Sequence, residues 1–269
     1  MFSFLAVSTN TYHGFSLSEA LSGIARAGFK FVELACVKGW TNHFDLESYS
    51  KEDLEGLKKE LNSFGLQVIS LSAHSDLASS DGVAYLQKTL HFAHLMGAKV
   101  VNTGTIENEK DTEAFLNNIQ VLAKDAEAVG VQIGLEIHGD FFKSGEVARE
   151  IVREIGSPFV GINYDTGNAI FYGNVRPEED IALCFPWLVH IHLKDKRGGY
   201  KVWDFPALGR GEVNFGKILG SLPPEKHSIP LSVEIEFDGK FDHPKEFVDQ
   251  AVQESFTYLM RLQELFGSS

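Results

Sequence analysis

Short apolar runs rich in Val, Ile and Phe alternate with longer amphipathic stretches along the whole chain, and this alternation restricts the fold more tightly than any other feature. It is the pattern of repeated βα units, which build a parallel sheet with helices on its outer face. The first run is Phe4 to Thr9; Ser16 followed by Glu19 has capping-box spacing and opens a helix that ends near Ala27-Gly28. The second run, Phe29 to Ala35, is followed by the polar, aromatic loop Lys38 to Ser50 and a helix beginning at Ser50-Lys51-Glu52-Asp53. Leu66 to His74 and Lys99 to Thr105 are the third and fourth strands, followed by helices over about Gly82 to Met96 and Thr112 to Val129. Val131 to Gly139 precedes a helix from Gly145 to Ile155, and Phe159 to Gly167 precedes a short helix around Pro177 to Cys184. Val189 to Asp195 and Ile229 to Glu236 are the last two strands, and Pro244 to Leu265 is a closing helix. Eight strands with helical or loop segments between them account for the chain with no linker or low-complexity tract, which predicts a single α/β domain over 1–269, a (β/α)8 barrel.

Val189-His190-Ile191-His192-Leu193-Lys194-Asp195 alternates polar and apolar residues without a slip, the period of a strand whose faces meet different surroundings. Val189, Ile191 and Leu193 face the helices. His190, His192 and Lys194 face an interior where burial costs several kcal/mol unless a carboxylate or a metal ion compensates. The same parity turns Glu33, the trio Ser70, Ser72 and His74, Asn102, the trio Gly134, Glu136 and His138, the pair Asn163 and Asp165, and Glu234 inward on their strands.

The formal net charge of -13 repels a phosphate backbone, so no nucleic-acid partner is expected. Cys36 and Cys184 lie in separate apolar segments without CxxC spacing, which predicts buried thiols in a reducing cytoplasm rather than a disulfide or thiolate zinc site. Met1 to Val7 lacks a basic leader region, and no apolar run approaches the ~20 residues that span a bilayer. A soluble cytoplasmic protein with no membrane partner is expected.

In a barrel, inward side chains at the carboxyl ends of strands converge on one face. On the last four strands this rule brings together Glu136, Asp165, His192 and Glu234. Three carboxylates so close would raise one another's pKa, and a divalent cation resolves the conflict. Three carboxylate oxygens and one imidazole nitrogen suit Mn²⁺, Mg²⁺ or Co²⁺ better than Zn²⁺ in a sulfur-rich site. His190 shares the parity of His192, but His192 lies one layer nearer the active face and is the preferred ligand.

His-Ile-His-Leu-Lys-Asp, together with Leu-Glu-Ile-His-Gly, Tyr-Asp-Thr-Gly-Asn, Gly-Arg-Gly-Glu-Val-Asn-Phe and Ser-Val-Glu-Ile-Glu, resembles the xylose isomerase-like TIM-barrel superfamily over nearly the whole chain. That group includes sugar phosphate isomerases/epimerases, ketose 3-epimerases, hydroxypyruvate isomerase, inosose dehydratases and endonuclease IV. The resemblance implies one divalent ion on Glu136, Asp165, His192 and Glu234, with Glu136 and Glu234 also exchanging a proton on opposite faces of the substrate. It further implies a homodimer or homotetramer. Endonuclease IV uses three zincs and additional histidines; here only His74 matches one of these, while Asn102-Thr103-Gly104 and Asp165-Thr166-Gly167-Asn168 carry none.

Around the metal, His74, His138, Asn168 and Lys194 are the expected substrate contacts. Lys194 has two readings, a structural bridge to Asp195 or Glu236, or a cation for an enediolate oxygen or acidic substrate group. His138 either contacts substrate or supports Glu136 through a hydrogen bond. Glu33 is a weaker pocket-lining candidate. Gly209-Arg210-Gly211 is a candidate anion-binding loop within the Gly-rich segment Gly198 to Phe215, and Trp40, Phe44 and Trp203 are candidate covers for a sugar ring. The leading expectation is a metal-dependent isomerase or epimerase of a sugar or sugar phosphate. The alternatives are a dehydratase of the inosose or 3-dehydroshikimate type, an endonuclease IV-like repair enzyme, and a non-catalytic sugar-binding barrel.

Overall fold

The computed structural model describes residues 2–240 and 242–267, so Met1 of the opening run lies outside it. Eight parallel strands close on themselves in chain order: β1 (Phe4–Ser8), β2 (Phe31–Ala35), β3 (Gln67–Ser72), β4 (Val100–Thr103), β5 (Gln132–Glu136), β6 (Val160–Asp165), β7 (Leu188–Leu193) and β8 (Pro230–Val233). β8 seals the barrel against β1, with Leu5 opposite Leu231 and Val7 opposite Val233. The fold is the (β/α)8 barrel that the alternation predicts.

Helices α1 (Leu17–Ala27), α2 (Lys51–Phe64), α3 (Ser80–Met96), α4 (Thr112–Val129) and α5 (Gly145–Ile155) follow the first five strands. Ser16 and Glu19 form a complete capping box on α1, as do Ser50 and Asp53 on α2. Each box satisfies orphan N–H groups at the helix start, which is why these helices begin where the sequence places them. Outward strand residues such as Leu34, Leu71, Val101, Leu135, Ile162, Ile191 and Val233 are fully buried against this helical layer. The apolar half of each strand therefore makes the core, and the polar half fills the barrel. Among the described residues, no helix is long and apolar enough to cross a membrane.

Several boundaries differ from the alternation. β3 stops at Ser72, β5 at Glu136 and β8 at Val233, so His74, His138 and Glu234 stand on the loops that leave those strands. Alternation counts parity but cannot see where the ladder ends. β6 ends at Asp165 instead of running to Gly167, because Asp165 caps α6 (Thr166–Gly173), its carboxylate accepting the Asn168 N–H. The predicted helix around Pro177 to Cys184 is a short α7 (Pro177–Asp180) continued by a 3-10 segment, Ile181–Trp187, that holds Pro186. α8 (Phe215–Ser221) follows the Gly-rich segment and carries too few residues to show a period; α9 (Lys245–Gly267) closes the fold.

Candidate metal centre

Register places the site. Asp165 pairs with His192 across β6 and β7, and Glu136 pairs with Asn163 across β5 and β6, so these side chains leave the sheet side by side on its inner face. Glu234 follows β8, where its N–H still bonds the Leu193 carbonyl at 3.1 Å. One ligand-type atom from each of Glu136, Asp165, His192 and Glu234 lies within 4.8 Å of all the others, and all four residues are buried. His192 Nδ1 sits 3.3 Å from Glu136 Oε2, 3.5 Å from Asp165 Oδ2 and 3.7 Å from Glu234 Oε2.

Two observations test whether these residues suit a cation. Asp165 Oδ2 is buried without a hydrogen-bond partner, a costly state for a carboxylate oxygen unless a further group compensates it. Three carboxylates and one imidazole also form a hard, oxygen-rich donor set with room for water or substrate oxygens, which matches an octahedral divalent ion. The residues fit such an ion. Among the described residues the other metal-ligating cluster, Glu33 with His190 and His192, shares His192 with the first and builds no separate trinuclear site.

The charges are tightly coupled. Burial pushes the His192 imidazole down, but Glu33, Glu136 and Glu234 outweigh it and hold the ring well above its ordinary pKa. Burial pushes the Glu136 carboxyl up, yet His192 and His74 bring it below the usual carboxylate range. Asp165 is raised because its burial exceeds the pull of Lys194.

The predicted contacts surround this quartet. His74 Nε2 meets Glu136 Oε2 at 3.1 Å, and Asn168 Nδ2 donates to Glu136 Oε1 at 3.3 Å. His138, past the end of β5, lies farther out; its Nε2 meets the Tyr172 hydroxyl at 3.2 Å and its ring stands edge-on to His74. It is exposed by area but enclosed by the walls of the cleft, and burial followed by the charge of His74 pushes its pKa down. Lys194 donates to Glu236 Oε2 at 2.6 Å and to Glu234 Oε2 at 3.1 Å. Asp195 is not its partner. The Asp195 carboxylate accepts instead from the N–H groups of Lys196, Gly209, Gly211 and Val213. The Gly209 and Gly211 amides are thus occupied by the chain's own carboxylate and the Arg210 amide by the Ala207 carbonyl, which corrects the anion-loop expectation; the Arg210 side chain pairs with Glu254.

Above the quartet lies a cleft of about 350 Å³, lined among others by Asn10, Trp40, His74, Asn168, Tyr172 and Trp203. Phe44 takes no part, being stacked on Phe92 and tilted against Tyr49 in the helical layer. Glu33, read as pocket lining, lies beneath the cleft, where its carboxylate meets the His192 and His190 rings. Three contributors escaped the sequence. Asn10 donates to Glu234 and Glu236 and follows the first strand in a polar Ser-Thr-Asn-Thr run, where the strand-end rule would have found it. Glu236 shares the parity of Glu234 and drew notice only as a partner for Lys194. Tyr172 had no signal, since it rides on the unpredicted α6.

Residues 21–259 match the family model for the xylose isomerase-like TIM barrel. The chain belongs to that family. Among curated relatives, the L-ribulose 3-epimerase of Methylomonas sp. (strain DH-1) is 21% identical over 252 residues, covering 84% of this chain and 80% of that one. A xylose isomerase-like TIM barrel protein from Mycobacterium smegmatis, solved in complex with magnesium, superposes with a TM-score of 0.80 at 16% identity over 97% of this chain and 96% of the other. The D-allulose 3-epimerase from Methylomonas sp. in complex with D-allulose gives 0.75 at 17%, over 97% of each chain. A probable 3-DHS dehydratase from Bacillus anthracis gives 0.74 at 16%, over 96% of this chain and 99% of the other. At these identities the structural likeness is one of fold.

Proposed function

We propose that this member of the family is a divalent-metal-dependent sugar isomerase or epimerase that moves a proton on the carbon next to a carbonyl. The observation that carries the reading is the four-residue cluster, gathered within 4.8 Å at the floor of an open cleft and flanked by hydroxyl-binding side chains. Glu136, Asp165, His192 and Glu234 would hold the ion, which supplies Lewis-acid polarisation of a substrate carbonyl and acidifies the neighbouring C–H. Glu136 and Glu234 are the proton carriers, one removing the proton and the other returning it. Asn168 and His74 bind substrate hydroxyls beside Glu136, and Tyr172 and His138 border the outer part of the cleft. The epimerase relatives and the magnesium and D-allulose complexes support this reading.

A free sugar suits the cleft better than a sugar phosphate. Lys194 is already committed to Glu234 and Glu236, and its Nζ also lies 3.8 Å from Asp165 Oδ2. Burial pushes this ammonium down, but the three carboxylates hold it well above its ordinary pKa. The lysine therefore balances carboxylates and has no charge to spare for a phosphate. A dehydratase would use the same cluster and yield a keto product short of one water.

The test is to incubate the Mn²⁺-, Mg²⁺- or Co²⁺-loaded chain with free ketopentoses and ketohexoses in D₂O. Deuterium should appear at the carbon next to the carbonyl together with an epimer or an aldose, and Glu136→Gln or Glu234→Gln should slow this by roughly 10²–10⁴-fold. No deuterium across the panel with any of the three ions overturns the assignment.

A further inference from the structure

Glu33 stands apart from the four side chains at the barrel mouth. It projects from β2 into the barrel beneath the cluster, is completely buried, and does not line the cleft. A carboxylate there costs several kcal/mol unless it is paired and hydrogen-bonded. Its oxygens meet His192 Nε2 at 2.9 and 3.1 Å, and Oε2 also faces His190 Nε2 at 3.2 Å and the Ser70 hydroxyl at 3.4 Å. An ionised carboxylate only accepts hydrogen bonds, so His192 Nε2 carries a hydrogen and Nδ1 is the nitrogen turned toward Glu136, Asp165 and Glu234. From His190 the chain of contacts continues: His190 Nδ1 lies 2.8 Å from Asn163 Oδ1, and Asn163 Nδ2 donates to Glu136 Oε2 at 3.1 Å. Glu136 is thereby reached from the same buried layer, through His190 and Asn163.

We propose that Glu33 is a positioning residue that sets the affinity of the site for its divalent ion, holding the His192 ring with Nε2 protonated and Nδ1 presented to the ion. The proposal rests on the reading of the quartet as a metal centre. Because Glu33 lies outside the quartet and does not line the cleft, its effect on the substrate should run through the metal site. A carboxylate that orients a metal-bound histidine characteristically changes metal affinity by about 10–100-fold. Gln keeps the size of Glu33 but offers one acceptor and a competing donor, so it no longer selects one tautomer.

The experiment is Mn²⁺ titration of the metal-free full chain, followed by the paramagnetic resonance of free Mn²⁺. Glu33→Gln should bind Mn²⁺ about 10–100-fold more weakly than wild type, while sugar KM at saturating Mn²⁺ stays within about threefold. An Mn²⁺ affinity within threefold of wild type overturns the proposal. If the variant does not fold, the ¹⁵N imidazole spectrum of the Mg²⁺-loaded wild type decides: a protonated Nε2 on His192 with Nδ1 bound supports the inference, and a bound Nε2 ends it. Weakened Mn²⁺ binding in a chain that turns over no sugar removes the proposed function and leaves this inference standing; a wild type that binds no Mn²⁺ removes both.

Discussion

Glu234 depends on Asn10, a residue that its own strand does not carry. The Asn10 amide donates to Glu234 Oε1 at 3.0 Å and to Glu236 Oε1 at 3.1 Å, while its carbonyl oxygen accepts from Thr41 Oγ1 at 2.6 Å. Both ends of the amide are thus engaged, which leaves Glu234 Oε2 toward His192 and Lys194. Asn10→Ala removes the only side chain that steers the other oxygen among the described hydrogen bonds. Misplacing a proton carrier by about 1 Å costs up to about 10²-fold, so kcat should fall by roughly 10–10²-fold with a smaller change in KM. Steady-state kinetics on the ketose found active in D₂O checks this, and an unchanged kcat would remove Asn10 from the machinery. At this scale Glu136, Asp165, His192 and Glu234 were legible because strand parity and strand ends depend on local alternation. Glu33 and Asn163 were legible only as inward side chains, and their partners, like those of Asn10, require knowing which strand lies opposite.

Among the elements, the Gly-rich segment after β7 folds back onto one side chain at four points. Asp195 gathers four backbone N–H groups, at 2.8 Å from Lys196 and Gly211, 2.9 Å from Gly209 and 3.1 Å from Val213. A Cβ added at Gly211 would lie 2.3 Å from Asp195 Oδ1 and 2.5 Å from the Lys196 carbonyl oxygen, so only glycine admits the close approach. Asp195→Ala should cost about 3 kcal/mol, because it strands the buried Lys196 and Val213 amides that a charged acceptor now satisfies. Amide exchange at Gly209, Gly211 and Val213 should accelerate with it. An unchanged Tm with unchanged exchange would show that the segment is held by other contacts. The glycines announced a loop, but not whether its amides faced a ligand or the chain itself. Likewise α6 was hidden because Asp165 reads as a strand residue until it is seen capping the next helix.

For the whole molecule, the clustered charges couple stability to pH and to metal. In the metal-free chain His192 is raised well above its ordinary value, since Glu33, Glu136 and Glu234 outweigh burial. Above about pH 6.5 the unfolded chain has shed this proton while the folded chain still holds it, so stability declines as pH rises toward the raised value. Glu136 is lowered on balance, His192 and His74 outweighing burial, so its contribution is present above about pH 4.3 and is lost as pH falls toward its lowered value. The metal-free Tm should therefore peak in the mildly acidic range, and saturating Mn²⁺ should move the maximum upward in pH. An ion held at the proposed site would displace the His192 proton, so Mn²⁺ affinity should tighten by up to about tenfold per pH unit as pH rises, until that proton is gone. Thermal melts across pH in chelator and in Mn²⁺ check both statements. A metal-free Tm that climbs steadily above pH 7 would contradict them.

The order of the strands and of the helices other than α6 and α8, the closed barrel and the identity of four acid and imidazole residues at the mouth were determined by the sequence alone. Each follows from a period of two in strands, a period near 3.6 in helices, and the rule that inward strand ends share one face. Tertiary structure alone decided that Lys194 answers to Glu236 rather than Asp195, that Asp195 fills the glycine loop, and that Glu33 underlies His192. Those pairings join residues as far as 159 positions apart in the chain. Burial makes an unpaired charge expensive, but which partner compensates it is a matter of distance in three dimensions, which no local pattern records.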